Sequence, residues 1–313
     1  MVANTTTIRY ARAMDRLADG EPIRVDPLDL GPVLGVWRNA NQRTWGISRV
    51  ELSERDGQVW AHAWAVDPVA DEVLDWGEAP VDGMYADGMR STTVCGYRVT
   101  FDLGHARTQV QVNMLHSVAV CAAFTEFTDG SGRLNYFSRE FLHRRAGRDV
   151  RTPDRRAGGP YARGDDRLPM LSGRIDPERL LATWRNTYAD SQGIGEVTCS
   201  FRDGQLYVHV VAVGPDGPID WGETPATLFT DLSVTGGGRD AATPSTDGGP
   251  TPHYADLSCT DGGPAYFATY EHGFMTVRLQ GRFNIGILPN AIFTDFHDDS
   301  GRANFFMREV FIR

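Results

Sequence analysis

His62 and His209 each sit mid-way along a short stretch that alternates in polarity, beside aromatic residues of the same parity: Trp60 and Trp64 around His62, Tyr207 before His209. An imidazole among aromatic rings is a candidate general acid or base if that face lines a cavity, and a structural histidine if it does not. Further on, Asp75-Trp76-Gly77-Glu78 and Asp220-Trp221-Gly222-Glu223 place two carboxylates around a tryptophan. Such acids can position a substrate or take a proton. The same four letters also describe an Asx turn whose tryptophan packs down on a core. The catalytic candidates are therefore His62, Asp75 and Glu78.

Candidate binding residues follow from the same logic. Trp45, Trp60 and Trp64 offer aromatic walls where the second half has Gln192, Tyr207 and Val211, so the principal site is expected in the first half, with Tyr207 and His209 as its counterparts. Arg133, Arg139, Arg302 and Arg308, with Asn135 and Asn304, share one alternating face near the ends of the two halves. They can bind a carboxylate or phosphate, or pair with Glu140 and Glu309.

Several chemistries are excluded or unsupported. All 31 basic residues are arginine, so there is no Schiff-base, PLP-anchoring or P-loop lysine. Cys95, Cys121, Cys199 and Cys259 form no C-x-x-C pair and no zinc spacing, and read as small buried side chains in a reducing compartment. His297-Asp298-Asp299 is a turn before it is a metal site, so no metal and no cofactor is expected. A net charge of −10 without a basic run argues against nucleic acid and anionic membranes as partners. With no signal-like or membrane-length apolar segment, a cytoplasmic protein is expected.

These residues recur because the chain is duplicated. Trp37-Arg38-Asn39 returns as Trp184-Arg185-Asn186, and over 37–66 against 184–213 there are 14 identities in 30 positions. Residues 97–144 match 266–313 at 17 of 48, against roughly one in fifteen by chance. The expected organisation is a first repeat over 1–145, a linker over 146–173 rich in Arg, Gly, Pro and Asp, and a second repeat over 174–313. The second copy carries an inserted segment around 236–252 whose composition reads as a loop, either a lid or disordered.

Period-two alternation dominates each repeat, and Asp56-Gly57 and Asp203-Gly204 signal tight hairpins. One helix is expected over 6–18, where Ile8, Ala11, Met14 and Leu17 are spaced for it. Many short strands in about 120 residues imply an all-β barrel or sandwich.

Gly35-Val36-Trp37 on a first strand and Arg144 on the last resemble the opening G-x-W and closing Arg of lipocalin-like barrels; the second copy has Ala182-Thr183-Trp184 and Arg313. The resemblance implies two tandem antiparallel barrels, each with its Arg covering its Trp and an open end for an apolar ligand. The wider pattern of W-x-N, G-I and D-W-G also resembles a recurring bacterial domain to which no activity attaches. The expected function is binding of a hydrophobic or aromatic small molecule. An enzyme of this kind would be a cofactor-independent cyclase, isomerase or lyase of secondary-metabolite biosynthesis. The alternatives are a non-catalytic carrier and a structural pseudo-dimer without a pocket.

Overall fold

The computed structural model describes residues 9–17, 27–115, 117–144, 152–168, 171–232 and 262–313. The regular structure is β. The first half holds β1 (Gly35–Asn39), β2 (Ile47–Arg55), β3 (Gln58–Asp67), β4 (Glu72–Ala86), β5 (Val94–Asp102), β6 (Ala106–Leu115), β7 (Val118–Phe127) and β8 (Tyr136–His143). A two-residue strand β9 (Arg155–Arg156) follows. The second half holds β10 (Ala182–Asn186), β11 (Ile194–Arg202), β12 (Gln205–Gly214), β13 (Gly217–Asp231), β14 (Gly262–Glu271), β15 (Met275–Asn284), β16 (Ile287–Phe296) and β17 (Phe305–Ile312). Together they form one mixed 17-stranded sheet. Among the described residues no helix is long and apolar enough to cross a membrane.

Within each half, consecutive strands pair antiparallel, and the last strand also pairs with the first: β8 with β1, and β17 with β10. The hairpins form where the sequence signals them. Asp56 and Gly57 have φ of 52° and 76°, and Asp203 and Gly204 have 52° and 79°, the double positive φ that a tight two-residue turn requires. One face of each half closes on its own apolar cluster. Trp37, Ala61, Ala63, Tyr97 and Val112 belong to the first, and Trp184, Val208, Val210 and Tyr266 to the second. Arg144 lies over Trp37 at 4.7 Å and Arg313 over Trp184 at 4.8 Å, each also donating to a backbone carbonyl below.

The halves are joined by parallel pairing at two equivalent places. β13 pairs with β8 and β17 with β4, so that β4–β8 and β13–β17 make a ring of 10 strands. Thr230 N donates to Asn135 O at 2.9 Å, and Ala86 N donates to Asn304 O at 2.8 Å. Asn135 and Asn304 are the same position of the repeat, so the contact is reciprocal, as in a two-fold dimer.

The helix expected over 6–18 is not formed in its described part. Residues 9–17 hold only a 3-10 turn, Ala13–Asp15. The backbone groups that a helix would pair internally are used on the second half. Ala11 O accepts from Trp221 Nε1 at 3.0 Å, Met14 N donates to Gln192 O at 3.1 Å, and Asp15 O accepts from Arg302 at 2.8 Å. The segment expected as a linker over 146–173 is likewise committed in its described part. β9 pairs with β4, and a 3-10 turn, Gly164–Arg167, packs on the first half.

These two segments are copies of one another. Tyr10-Ala11-Arg12 and Asp15-Arg16 recur as Tyr161-Ala162-Arg163 and Asp166-Arg167. Ala162 O accepts from Trp76 Nε1 at 2.9 Å, as Ala11 O does from Trp221. Arg163 reaches Thr125 Oγ1 at 3.1 Å, and Arg12 reaches the equivalent Thr294 at 2.8 Å. Each strap thus precedes one half and docks on the other. The 236–252 segment, with His253 and Cys259, lies outside the described residues.

Candidate functional site

The sequence-selected residues fall into three places. Around β3 the alternation puts Val59, Ala61, Ala63 and Ala65 into the core, so His62 projects from the opposite face. His62 Nε2 and Asp75 Oδ1 are 2.6 Å apart, and the imidazole stacks on Trp64 with centroids 3.8 Å apart. Arg49 covers the same Trp64 ring at 4.2 Å. Glu78 pairs with Arg55 at 2.7 Å, and Arg55 lies over Trp60 at 5.4 Å. The second half repeats the patch. His209 and Asp220 are 2.8 Å apart, and Glu223 pairs with Arg202, which lies over Tyr207 at 3.6 Å.

Asp75 has a second role that explains its presence in both copies. Its Oδ1 accepts from Gly77 N at 2.6 Å, and Asp220 does the same from Gly222 N at 2.7 Å. Gly77 and Gly222 have φ of 78° and 76°, and the register shifts at the adjacent β3–β4 and β12–β13 pairs. The D-W-G motif is therefore an Asx-type lock on a β-bulge. The Gly222 N–H, followed by His209, holds the Asp220 carboxyl below its usual range.

Trp45 and Arg133 belong instead to the strap. Trp45 O accepts from Asp165 N at 3.2 Å, and its side chain packs beside Tyr136, Leu168 and Leu171. Arg133 donates to Pro160 O at 2.7 Å and pairs with Asp129 at 2.7 Å, and Arg302 pairs with Asp298 at 2.5 Å. Glu140 and Glu309 are held by Asn39 and Asn186 of the W-R-N motifs, at 2.7 and 2.9 Å. Of the expected binding residues, Arg139 and Arg308 line a small cavity between the halves, apart from a larger one.

That space contains a cavity of about 470 Å³. Phe124, Phe229 and Phe267 form one wall, with Phe124 and Phe229 edge-to-face at 5.0 Å. Arg98, Arg107 and Arg278 supply cationic groups, with Asp82 and Glu126 as the acidic ones. Arg278 pairs with Asp295, Arg98 lies 3.8 Å from the same carboxylate, and the Tyr85 hydroxyl donates to it at 3.4 Å. Burial, then the Asp295 charge, pushes the Tyr85 phenol up, so it remains a donor. Arg98 and Arg278 were not singled out from the sequence. The available signal was divergence between copies, because Arg278 stands where the first copy has Gln109 and Phe267 where it has Arg98.

Among the described residues no group of three His, Cys, Asp or Glu side chains could hold a metal ion. His297 Nε2 lies 2.7 Å from Thr276 Oγ1, while Asp298 accepts from Ser300 and Arg302, as a turn requires. Cys95, Cys121 and Cys199 are free thiols, and burial pushes Cys95 up to about 11. No protein-family model matches this chain, and comparison with curated proteins finds no match.

Proposed function

We propose that the protein binds a small organic acid with a flat apolar body in the cavity between its repeats, each repeat being a lipocalin-like antiparallel β-barrel. The barrel reading is supported by the return of the last strand to the first in each half and by the Arg144–Trp37 and Arg313–Trp184 stacks. Side chains as large as Trp37, Tyr97, Trp184 and Tyr266 occupy the two cores, which favours the space between the repeats over either interior. The carrying observation is the 470 Å³ cavity that joins three phenylalanines to three arginines. Its volume is in the range of small-molecule sites, and its chemistry suits an aromatic ring bearing a carboxylate or sulfonate. The aromatic sulfonate 8-anilinonaphthalene-1-sulfonate is a suitable probe. It should saturate at one equivalent per chain, and Arg278→Ala should weaken it at least tenfold, about 1.4 kcal/mol. Unchanged affinity in Arg278→Ala removes the cavity as the site.

A second reading, cofactor-free acid–base catalysis such as cyclisation, isomerisation or elimination, is favoured by the 2.6 Å His62–Asp75 contact beside Trp64. Neither His62, Asp75 nor Glu78 lines the cavity. The two readings therefore separate cleanly: His62→Ala leaves probe binding intact in both, and abolishes turnover only in the second.

A further inference from the structure

A smaller cavity, of about 70 Å³, also lies between the halves, and its lining follows the pseudo-two-fold relation between them. Arg139 faces Arg308, its counterpart in the second copy, and Phe137 is matched by Phe306. The cross-strand neighbours agree: Arg139 is opposite Ala122 on β7, and Arg308 opposite the equivalent Ala291 on β16. The symmetry breaks in charge at one pair, because Asn113 of the first copy corresponds to Arg282 of the second.

Three guanidinium groups therefore converge where strict duplication would leave two. Arg282 is buried and its Nη1 lies 3.5 Å from Asp231. Arg139 and Arg308 make no ion pair with an acidic side chain among the described residues. Arg282 Nε, Arg282 Nη1 and Gln280 Nε2 are buried without a hydrogen-bond partner among them. Buried donors left in this state are costly, and like charges gathered in a partly desolvated place are more so. Burial, then Arg282 and Arg308, pushes Arg139 down to about 10, which still leaves it protonated at neutral pH. The cavity is several times the ~10–15 Å³ that one water needs, and the exposed Arg308 lies at its edge.

We propose that this pocket is an oxyanion site, taking one phosphate-type group between Arg139, Arg282 and Arg308 on the axis that relates the two repeats. An oxyanion accepts from several guanidinium groups at once, supplies the missing acceptors and cancels the repulsion. The site does not depend on the aromatic-acid reading of the larger cavity.

The test uses the full chain, inorganic phosphate and phenyl phosphate, with chloride at matched ionic strength as reference. Phosphate should raise the melting temperature saturably above the chloride reference and bind at about one equivalent per chain in equilibrium dialysis. Arg308→Gln, at an exposed position, should weaken that saturation at least tenfold. In phosphate-free buffer the variant should melt at or above the wild type, because repulsion is relieved. Saturation by phenyl phosphate alone supports the site where Arg308→Gln loses it and Arg278→Ala keeps it, and then identifies the ligand as the phosphate group of a larger molecule; the reverse pattern places the ligand in the larger cavity and overturns the proposal. The proposal is overturned if neither phosphate exceeds chloride, if Arg308→Gln keeps the wild-type response, or if it melts lower in phosphate-free buffer. That last result would make the guanidinium a tie between the halves and nothing more.

Discussion

The Tyr266 hydroxyl donates to Asn290 Oδ1 at 2.6 Å in the second core, at the position where the first core sets Tyr97 against Cys121. Both phenols are fully buried, and burial raises the pKa of each well above the ordinary tyrosine value. Tyr97 has no hydrogen-bond partner for its hydroxyl among the described residues. The two copies therefore differ in how they satisfy the same buried group.

Removing the two hydroxyls should have opposite consequences. Tyr266→Phe strands the Asn290 oxygen and should cost about 1–3 kcal/mol, whereas Tyr97→Phe removes an unpaired group and should be neutral or stabilising by about 1 kcal/mol. Urea unfolding of the two variants measures the difference directly. Equal losses in both would mean that Tyr97 has a partner in the folded protein.

Acid should loosen the strap of the first half. Burial opposes ionisation of Asp166, but hydrogen bonds from His105, Tyr136 and the Ala162 N–H, with the Arg163 charge, outweigh it and hold the carboxyl below its usual value. A carboxyl whose folded pKa is depressed contributes stability that is present above its unfolded pKa of about 3.9 and is lost as pH falls toward the folded value. Asp166→Asn should therefore destabilise the protein at pH 7 and flatten the fall in stability below pH ~4. Denaturant titrations at pH 7 and pH 3 check both parts, and an unaltered acid slope would assign that fall to other carboxylates.

What the sequence made legible was local. Asp56-Gly57 needs only its own two residues to require a turn, and the Trp37–Arg144 stack is what the resemblance to lipocalin-like barrels implies. The Asp75–His62 contact was partly legible, because an Asx turn and a catalytic carboxylate ask for the same letters. Convergence of Arg139 on Arg308 was not legible. It depends on how the two halves pair, and the alternation along β8 fixes only which face Arg139 occupies. The straps were missed for a different reason. Their shared residues recur at a spacing unlike that of the strands, and Ile8, Ala11, Met14 and Leu17 imitate a helical stripe.

Strap exchange changes what cutting the linker should do. Two separable domains would part after cleavage between residues 144 and 152. Here the first strap carries buried Arg12 and Asp15, paired with each other at 2.8 Å, onto the second half, where Arg12 donates to Thr294 Oγ1 at 2.8 Å. The second strap inserts buried Arg163 and Asp166 into the first half, where Arg163 Nε meets the Tyr136 hydroxyl at 2.5 Å. Neither set of contacts crosses the cut in a way that cleavage would release, and the β8–β13 and β17–β4 pairings also persist. A protease site engineered into residues 145–151 should therefore give two fragments on a denaturing gel that still co-elute as one species in native size exclusion. Arg12→Ala in the same background leaves Asp15 buried and unpaired, a loss of about 3–5 kcal/mol, and should let the cleaved fragments separate at lower urea than the cleaved parent. Fragments that part without denaturant would show that the exchanged straps do not hold the halves together.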